Sequence, residues 1–182
     1  MDRRLALPGL LLSPVMVDAT LPLRTVYTDE RVVVSVCDDL LIAVWLDAPT
    51  IVQMEAFATH GRALERELPR GAVLSNLAVS GTPKFDERVR RLAAELTADP
   101  ELFRIARSHT VLVGGMRGVA IRAFIQTFIL LGRPPRPTKA FSAVEQAASW
   151  IAEQLAKSPH RWTPARVLEA HRLAQAAAGL SV

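Results

Sequence analysis

The amino-acid sequence predicts an α/β fold with a mixed, mostly parallel sheet of about five strands and four to five helices. Short runs of β-branched and aliphatic residues alternate along the chain with segments of helical spacing, which is typical of parallel strands joined by crossover helices. The first two strands are separated only by Asp38 and Asp39. Two residues cannot make a parallel crossover, so this first pair is predicted to be an antiparallel hairpin.

The first half of the domain combines strand-forming residues with clear helix signals. Residues 32–37 and 40–46 are dominated by Val, Leu and Ile and predict the two hairpin strands. Thr50 is a possible helix cap, and apolar residues at helical spacing predict a helix over 51–68. A third strand is predicted over 72–79, after a Pro-Arg-Gly turn.

In the second half, helices and strands continue to alternate. A helix is predicted over 83–96 with Pro83 in its first turn, and a short helical piece follows from Asp99 to Ala106. A short strand over 110–113 leads through two glycines into a long apolar helix ending at 131–132.

The C-terminal third is punctuated by proline. Three prolines hold the chain extended into residues 138–141, which predicts an edge strand. Ser142 and Glu145 form a capping-box pattern for a helix that runs to about Ala156. The last helix is predicted from Thr163-Pro164 to about residue 178.

These elements divide the chain into an N-terminal arm over 1–29, partly irregular, an α/β domain over 30–157 and a C-terminal helical extension over 158–182. The basic, apolar N-terminus resembles a signal peptide, but Pro8 and Gly9 interrupt it and no small-residue cleavage site follows. One cysteine cannot form an internal disulfide. We therefore predict a cytoplasmic protein that does not bind membranes.

Composition and charge exclude wholesale disorder and disfavour nucleic acid as a partner. Half of the 182 residues are hydrophobic, so a substantial core can form, and the formal net charge is only +4. The basic surplus lies within residues 84–139, but few aromatic side chains accompany it. A solvated basic face, or a docking site for an acidic protein, fits this pattern better.

No familiar catalytic, metal or cofactor pattern is present. The four histidines share no metal-ligand spacing, and there is no nucleophile elbow. The glycines of residues 114–118 match neither the dinucleotide nor the P-loop spacing, and close packing of a helix on a strand explains them equally well. We therefore predict neither an enzyme nor a cofactor.

The helix over 117–131 is apolar around almost its whole circumference. From Val119 to Leu131 only Arg122, Gln126 and Thr127 are polar, whereas a surface helix ordinarily has a single apolar stripe. Three interpretations stay open. Both faces are buried in the fold, one face meets another chain, or the helix borders a pocket for an apolar ligand.

Several units together carry a family resemblance. They are the strand 72–79 with the loop 80–83, the helix segment 85–91, the unit 110–115 and the strand-to-helix ending 138–151. In this order they resemble the STAS-like superfamily, which comprises bacterial anti-sigma-factor antagonists and uncharacterised relatives. Those relatives are similar to both STAS and CRAL-TRIO lipid-binding domains. The resemblance spans roughly the central two thirds of the chain.

The resemblance implies a non-catalytic regulatory domain that works by binding partners. In the antagonists, an Asp-Ser-Ser/Thr-Gly loop after a central strand carries a serine whose phosphorylation controls partner contact. The matching residues here are Ser80 and Thr82, which are candidate phospho-acceptors beside a helix N-terminus. Val79 stands where the antagonists have Asp. We favour turn and capping roles for the two hydroxyl groups.

The sequence therefore predicts a bacterial, non-enzymatic regulatory or scaffold protein that acts through protein–protein interaction and self-associates as a homodimer. Its apolar interface residues are predicted to be Phe124, Phe128 and Leu131. Its electrostatic contact residues are predicted to be Arg88, Arg91 and Arg117. The alternative is a domain of the CRAL-TRIO type that binds a small apolar ligand or lipid beside the apolar helix.

Overall fold

The computed structural model describes residues 21–81 and 86–181, which form one mixed sheet with helices on both faces. The strands are β1 (Arg24–Thr28), β2 (Val32–Cys37), β3 (Leu40–Trp45), β4 (Val73–Ala78), β5 (Ala106–Val111) and β6 (Thr138–Phe141). The helices are α1 (Ile51–Glu67), α2 (Glu87–Ala98), α3 (Gly115–Gly132), α4 (Val144–Gln154) and α5 (Pro164–Ala177).

The strands are arranged in the sheet in their chain order, from β1 to β6. The first three are antiparallel, and β3 to β6 are parallel. Cys37 pairs with Leu40 across the two-residue turn, where Asp38 adopts a left-handed φ of 52° that Asp tolerates better than most residues. The predicted α/β class, with a mixed sheet and an N-terminal antiparallel hairpin, is confirmed.

The helices form two layers. Because β3 to β6 are added in one direction across the sheet, crossovers of constant hand place α1, α2 and α3 on the same face. There α1 and α2 bury Met54, Phe57 and Leu96 against Leu41 and Leu74 of the strands. On the opposite face, α4 and α5 pack on a separate apolar layer that includes residues of β3 and β4.

Two predicted elements around β5 are wrong. The helical piece expected from Asp99 to Ala106 is a series of turns, and β5 begins at Ala106 rather than at 110. Buried Glu65 explains the difference, because its carboxylate accepts hydrogen bonds from the backbone N–H of Arg104 (3.0 Å) and of Ala72 (2.9 Å). These bonds fix the chain at the entrances of β4 and β5 in a non-helical conformation.

Two helix starts also differ from their predictions. Helix α2 begins at Glu87, where Asp86 caps it by accepting from the Arg88 N–H at 2.7 Å, and predicted Pro83 lies outside the described residues. Helix α4 begins at Val144 without a side-chain cap, so the predicted capping box at Ser142 and Glu145 is wrong.

The ends of the chain join the same sheet and core. Strand β1 lies within the segment 1–29 that was predicted as an arm, and it pairs with β2. Helix α5 starts at the predicted Thr163-Pro164 signal, with the Thr163 hydroxyl accepting from the Arg166 N–H at 3.2 Å, and buries Val167, Ala170 and Ala174. Within residues 21–81 and 86–181, no helix combines the length and apolar character needed to cross a bilayer.

Candidate functional site

A cavity of about 190 Å³ lies between the sheet and the three helices α1, α2 and α3. It opens near the carboxyl ends of the parallel strands β3, β4 and β5, which is the usual place for ligands in open α/β sheets. Most of its lining side chains are apolar, and they include Met54, Phe57, Leu96, Phe103, Ile121 and Ile125.

Helix α3 forms one side of this cavity. Ile121 is buried, and Phe124, Ile125 and Ile129 line the cavity in part-buried positions. Gly118 allows the helix to approach the end of β5, because a Cβ there would lie only 1.8 Å from the carbonyl oxygen of Val113. The close-packing interpretation therefore holds for this glycine.

A chain of three hydrogen-bonding side chains crosses the floor of the cavity. The indole N–H of Trp45 donates to Oδ1 of Asn76 at 3.1 Å, and Nδ2 of Asn76 lies 3.2 Å from Nδ1 of His109. An indole nitrogen can only donate, so Asn76 must present its amide N–H to the imidazole. Nδ1 of His109 is then the acceptor, and in the neutral ring the proton resides on Nε2.

The environment of His109 keeps the ring neutral. Its side chain retains some exposure because it borders the cavity, yet it lies deep within the domain. This desolvation, reinforced by the positive charge of Arg107, lowers the pKa of His109 to about 4. At neutral pH the residue is therefore a hydrogen-bond donor through Nε2–H, and not a cation.

Arg107 brings a buried positive charge to the same wall. Its guanidinium donates to the backbone carbonyl groups of Thr97, Asp99 and Leu102, at and after the C-terminus of α2. Carbonyl oxygens at a helix C-terminus stabilise a cation there. Its Nε has no hydrogen-bond partner among the described residues, and burial lowers its pKa.

The mouth of the cavity is formed by the loops that follow β3 and β4. Gly81 has a φ of 110°, and a Cβ on it would lie 3.0 Å from the backbone nitrogen of Ala48, so only glycine suits this close approach. Asp47, also at the mouth, pairs with Arg31 at 2.8 Å. Ser80 is exposed at this rim.

The candidate phospho-acceptor loop is thus only partly described. Ser80 lies at the cavity rim, and Thr82 lies outside the described residues. The phospho-acceptor hypothesis stays a prediction for both residues.

Of the three predicted apolar interface residues, the structure describes the side chain of Phe124 only. Phe124 lines the cavity, so it is placed on the inner side of α3 rather than on its outer face, while the side chains of Phe128 and Leu131 lie outside the described set. The outer face instead exposes Met116 (83%), Val119 (51%) and Leu130 (77%). Helix α3 therefore has an exposed apolar face, but Phe124 is not part of it.

The predicted electrostatic contact residues are all on the surface. Arg88, Arg91 and Arg117 are exposed, and Arg91 forms an ion pair of 3.4 Å with Glu87 of its own helix. Arg104 and Arg107, which the sequence assigns to the same basic stretch, are turned inward by hydrogen bonds to other parts of the fold.

A second buried polar cluster lies on the opposite face of the sheet. Nε2 of His171 is 2.9 Å from the Ser75 hydroxyl, which accepts a hydrogen bond from Ser108 at 3.2 Å. All three residues are almost fully buried, and burial lowers the pKa of His171 to about 4. The cluster lies between the sheet and α5, and Nδ1 of His171 has no hydrogen-bond partner among the described residues.

Sequence reasoning missed the polar groups of the cavity. The sequence predicts a helical piece up to Ala106 and a strand only from 110, whereas in the structure Arg107 and His109 share one face of β5. The signal that could have revealed this is the alternation of side chains between the two faces of a strand over Ala106–Val111. Among the described residues, no group of His, Cys, Asp and Glu side chains is arranged to hold a metal ion.

Comparisons of the chain with protein-family models, with curated proteins and with solved structures found no match. The resemblance to STAS-like domains therefore stays a prediction from the sequence.

Proposed function

We propose that this protein binds a small apolar ligand in the cavity beneath α3. The observation that carries the proposal is a cavity of about 190 Å³ with a mainly apolar lining and one hydrogen-bonding chain at its floor. Ligand sites commonly combine apolar walls with a few placed polar groups. Of the two functions that the sequence suggested, this one has the more specific geometric support.

The size of the cavity sets the size of the ligand. An engineered apolar cavity of about 150 Å³ in another protein stays dry and binds benzene or xenon. A cavity of about 190 Å³ therefore accommodates one aromatic ring with a small substituent, or a short aliphatic chain. Phe57 and Phe103, with ring centroids 5.5 Å apart, supply an aromatic wall for such a ligand.

The proposal is tested by filling the cavity with a side chain. Ala93 of α2 lines the cavity and is part-buried, so Ala93→Leu places a larger group in the ligand's space. We expect toluene to raise the melting temperature of the wild-type protein, because a ligand that binds only the folded state stabilises it. The same toluene concentration should not change the melting temperature of the Ala93→Leu variant.

Ala94→Leu is the matched control, because Ala94 is the next residue of α2 and is exposed. This variant should respond to toluene as the wild type does. Equal toluene responses in Ala93→Leu and Ala94→Leu, or no response in the wild type, would contradict the proposal.

A second candidate function, self-association, is favoured by the outer face of α3. Val119 and Leu130 are exposed, and they are eleven residues apart, which places them three helical turns apart on one stripe. Exposed apolar patches often mark interaction surfaces. This observation supports a homodimer, and with it the regulatory or scaffold role in the cytoplasm that the sequence suggests.

Charge placed on that stripe tests self-association. We expect the wild type to sediment as a dimer at tens of micromolar concentration, and Val119→Glu with Leu130→Glu to sediment as a folded monomer. Glu153, exposed on α4, offers the matched control Glu153→Lys, which should remain dimeric. A monomeric wild type over the whole concentration range would exclude this candidate.

A further inference from the structure

We infer that the cavity selects ligands that carry a carboxylate, with the acid group hydrogen-bonded to Nε2–H of His109 in the field of Arg107 and the apolar part under α3. This inference rests on the proposed ligand-binding function and adds the chemical class of the ligand. Each of its parts follows from the contacts around these two residues.

The first part is an unused hydrogen-bond donor. The chain from Trp45 through Asn76 leaves Nδ1 of His109 as an acceptor, so Nε2 carries the proton of the neutral ring. No described residue accepts a hydrogen bond from Nε2 of His109. Nδ1 of His171 is fully buried without a partner, whereas Nε2 of His109 is not fully buried and belongs to a residue that lines the cavity. A ligand oxygen in the cavity would complete its hydrogen bonding.

The second part is a buried positive charge whose acidic neighbours also pair with other cations. The two acidic side chains that act most strongly on Arg107 are Asp99 and Glu65. Each of them has another cationic partner, since Asp99 pairs with Arg62 at 3.4 Å and Glu65 with Arg104 at 2.7 Å. The field of Arg107 at the cavity wall therefore favours an anion.

The third part is the absence of competing negative charge among the described residues that line the cavity. Asp47 is the single acidic side chain among them, and its carboxylate is paired with Arg31 at the mouth. A carboxylate near His109 would thus meet one donor and one buried cation in largely apolar surroundings. Hydrogen bonds to charged groups are strong in such settings.

Three ligands of nearly equal shape test the inference on the wild-type protein at neutral pH. Toluene has no acceptor, benzamide is a neutral acceptor, and benzoate is an anionic acceptor. Dissociation constants are measured by titration of the backbone amide signals with each ligand. We expect benzoate to bind at least about tenfold more tightly than toluene, with benzamide between them, which is the effect of one charge-assisted hydrogen bond.

The substitution His109→Leu should bring benzoate to the affinity of toluene or below it. His171→Leu is the matched control, because it also removes a buried neutral histidine but on the opposite face of the sheet. This control should keep the wild-type preference. The comparison of three ligands on the wild type tests the inference even where a variant does not fold.

The outcomes separate the two proposals. Equal affinity for benzoate and toluene, or a benzoate preference that survives His109→Leu, would overturn the carboxylate inference and leave apolar binding in place. Amide signals around the cavity that respond to none of the three ligands would overturn the proposed function, and the carboxylate inference with it.

Discussion

At the residue scale, two desolvated histidines have different relations to the candidate site. His109 borders the cavity and is oriented by Asn76, whereas His171 is enclosed between the sheet and α5 beside Ser75. Desolvation lowers the pKa of both side chains to about 4, and Arg107 adds to the effect at His109. Both are therefore neutral in the folded protein at every pH well above 4.

This shared property predicts a pH dependence of stability. Well above pH 6.5 both histidines are neutral in the folded and the unfolded chain, so they contribute no slope. As the pH falls below 6.5, the unfolded chain binds protons that the folded chain cannot, and stability is lost until the pH falls through about 4. The expected loss is about 1.4 kcal/mol per pH unit for each histidine within this window.

Urea unfolding between pH 7.5 and pH 5 measures the effect above the range in which carboxylates titrate. His171→Gln should show a shallower decline than the wild type, because one of the two groups is removed. A free energy of unfolding that stays constant over this range would contradict the assigned burial of the two rings.

At the element scale, α3 shows which properties of a helix can be predicted from the sequence and which cannot. Its unusual apolar character is visible in the sequence and led to three interpretations: core, interface or pocket. In the structure, Ile121, Ile125 and Ile129 face inward to the cavity, while Val119 and Leu130 face outward. The sequence of a helix that is apolar on all sides does not show which face is buried. That depends on which elements the order of strands in the sheet places beside the helix.

Gly118 gives a direct test of how α3 is seated. Gly118→Ala should move the start of the helix away from Val113, lower the free energy of unfolding by about 1–3 kcal/mol and perturb the amide signals of Ile121. Gly114→Ala is the control, because a Cβ on Gly114 meets nothing within 4 Å and its φ of −81° suits alanine. Equal stability of the two variants would show that the helix does not pack as described.

At the scale of the whole molecule, the fold class is predictable from the sequence and the site is not. Runs of β-branched residues and the two-residue turn at Asp38 and Asp39 indicate strands β2 to β4 and the antiparallel hairpin, and both are local signals. The cavity joins Trp45, Asn76 and His109 from three different strands. Their proximity depends on strand register, which no local pattern specifies.

A contact between residues distant in sequence also explains the wrong predictions around β5. The backbone at Arg104, just before β5, is held by Glu65 of α1, a residue far away in sequence, and helical propensity does not indicate that contact. With a strand predicted only from residue 110, the sequence analysis does not bring Arg107 and His109 together on one strand face. Long-range hydrogen bonds to single carboxylates are the kind of information that composition and periodicity lack.

The central claim is that the space beneath α3 is a ligand site, and intermolecular nuclear Overhauser effects test it most directly. The account predicts that ring protons of bound toluene show these effects with the methyl groups of Ile121, Ile125 and Leu96, which line the cavity. Contacts of toluene only with outward-facing Val119 and Leu130, or with none of these methyl groups, would contradict it.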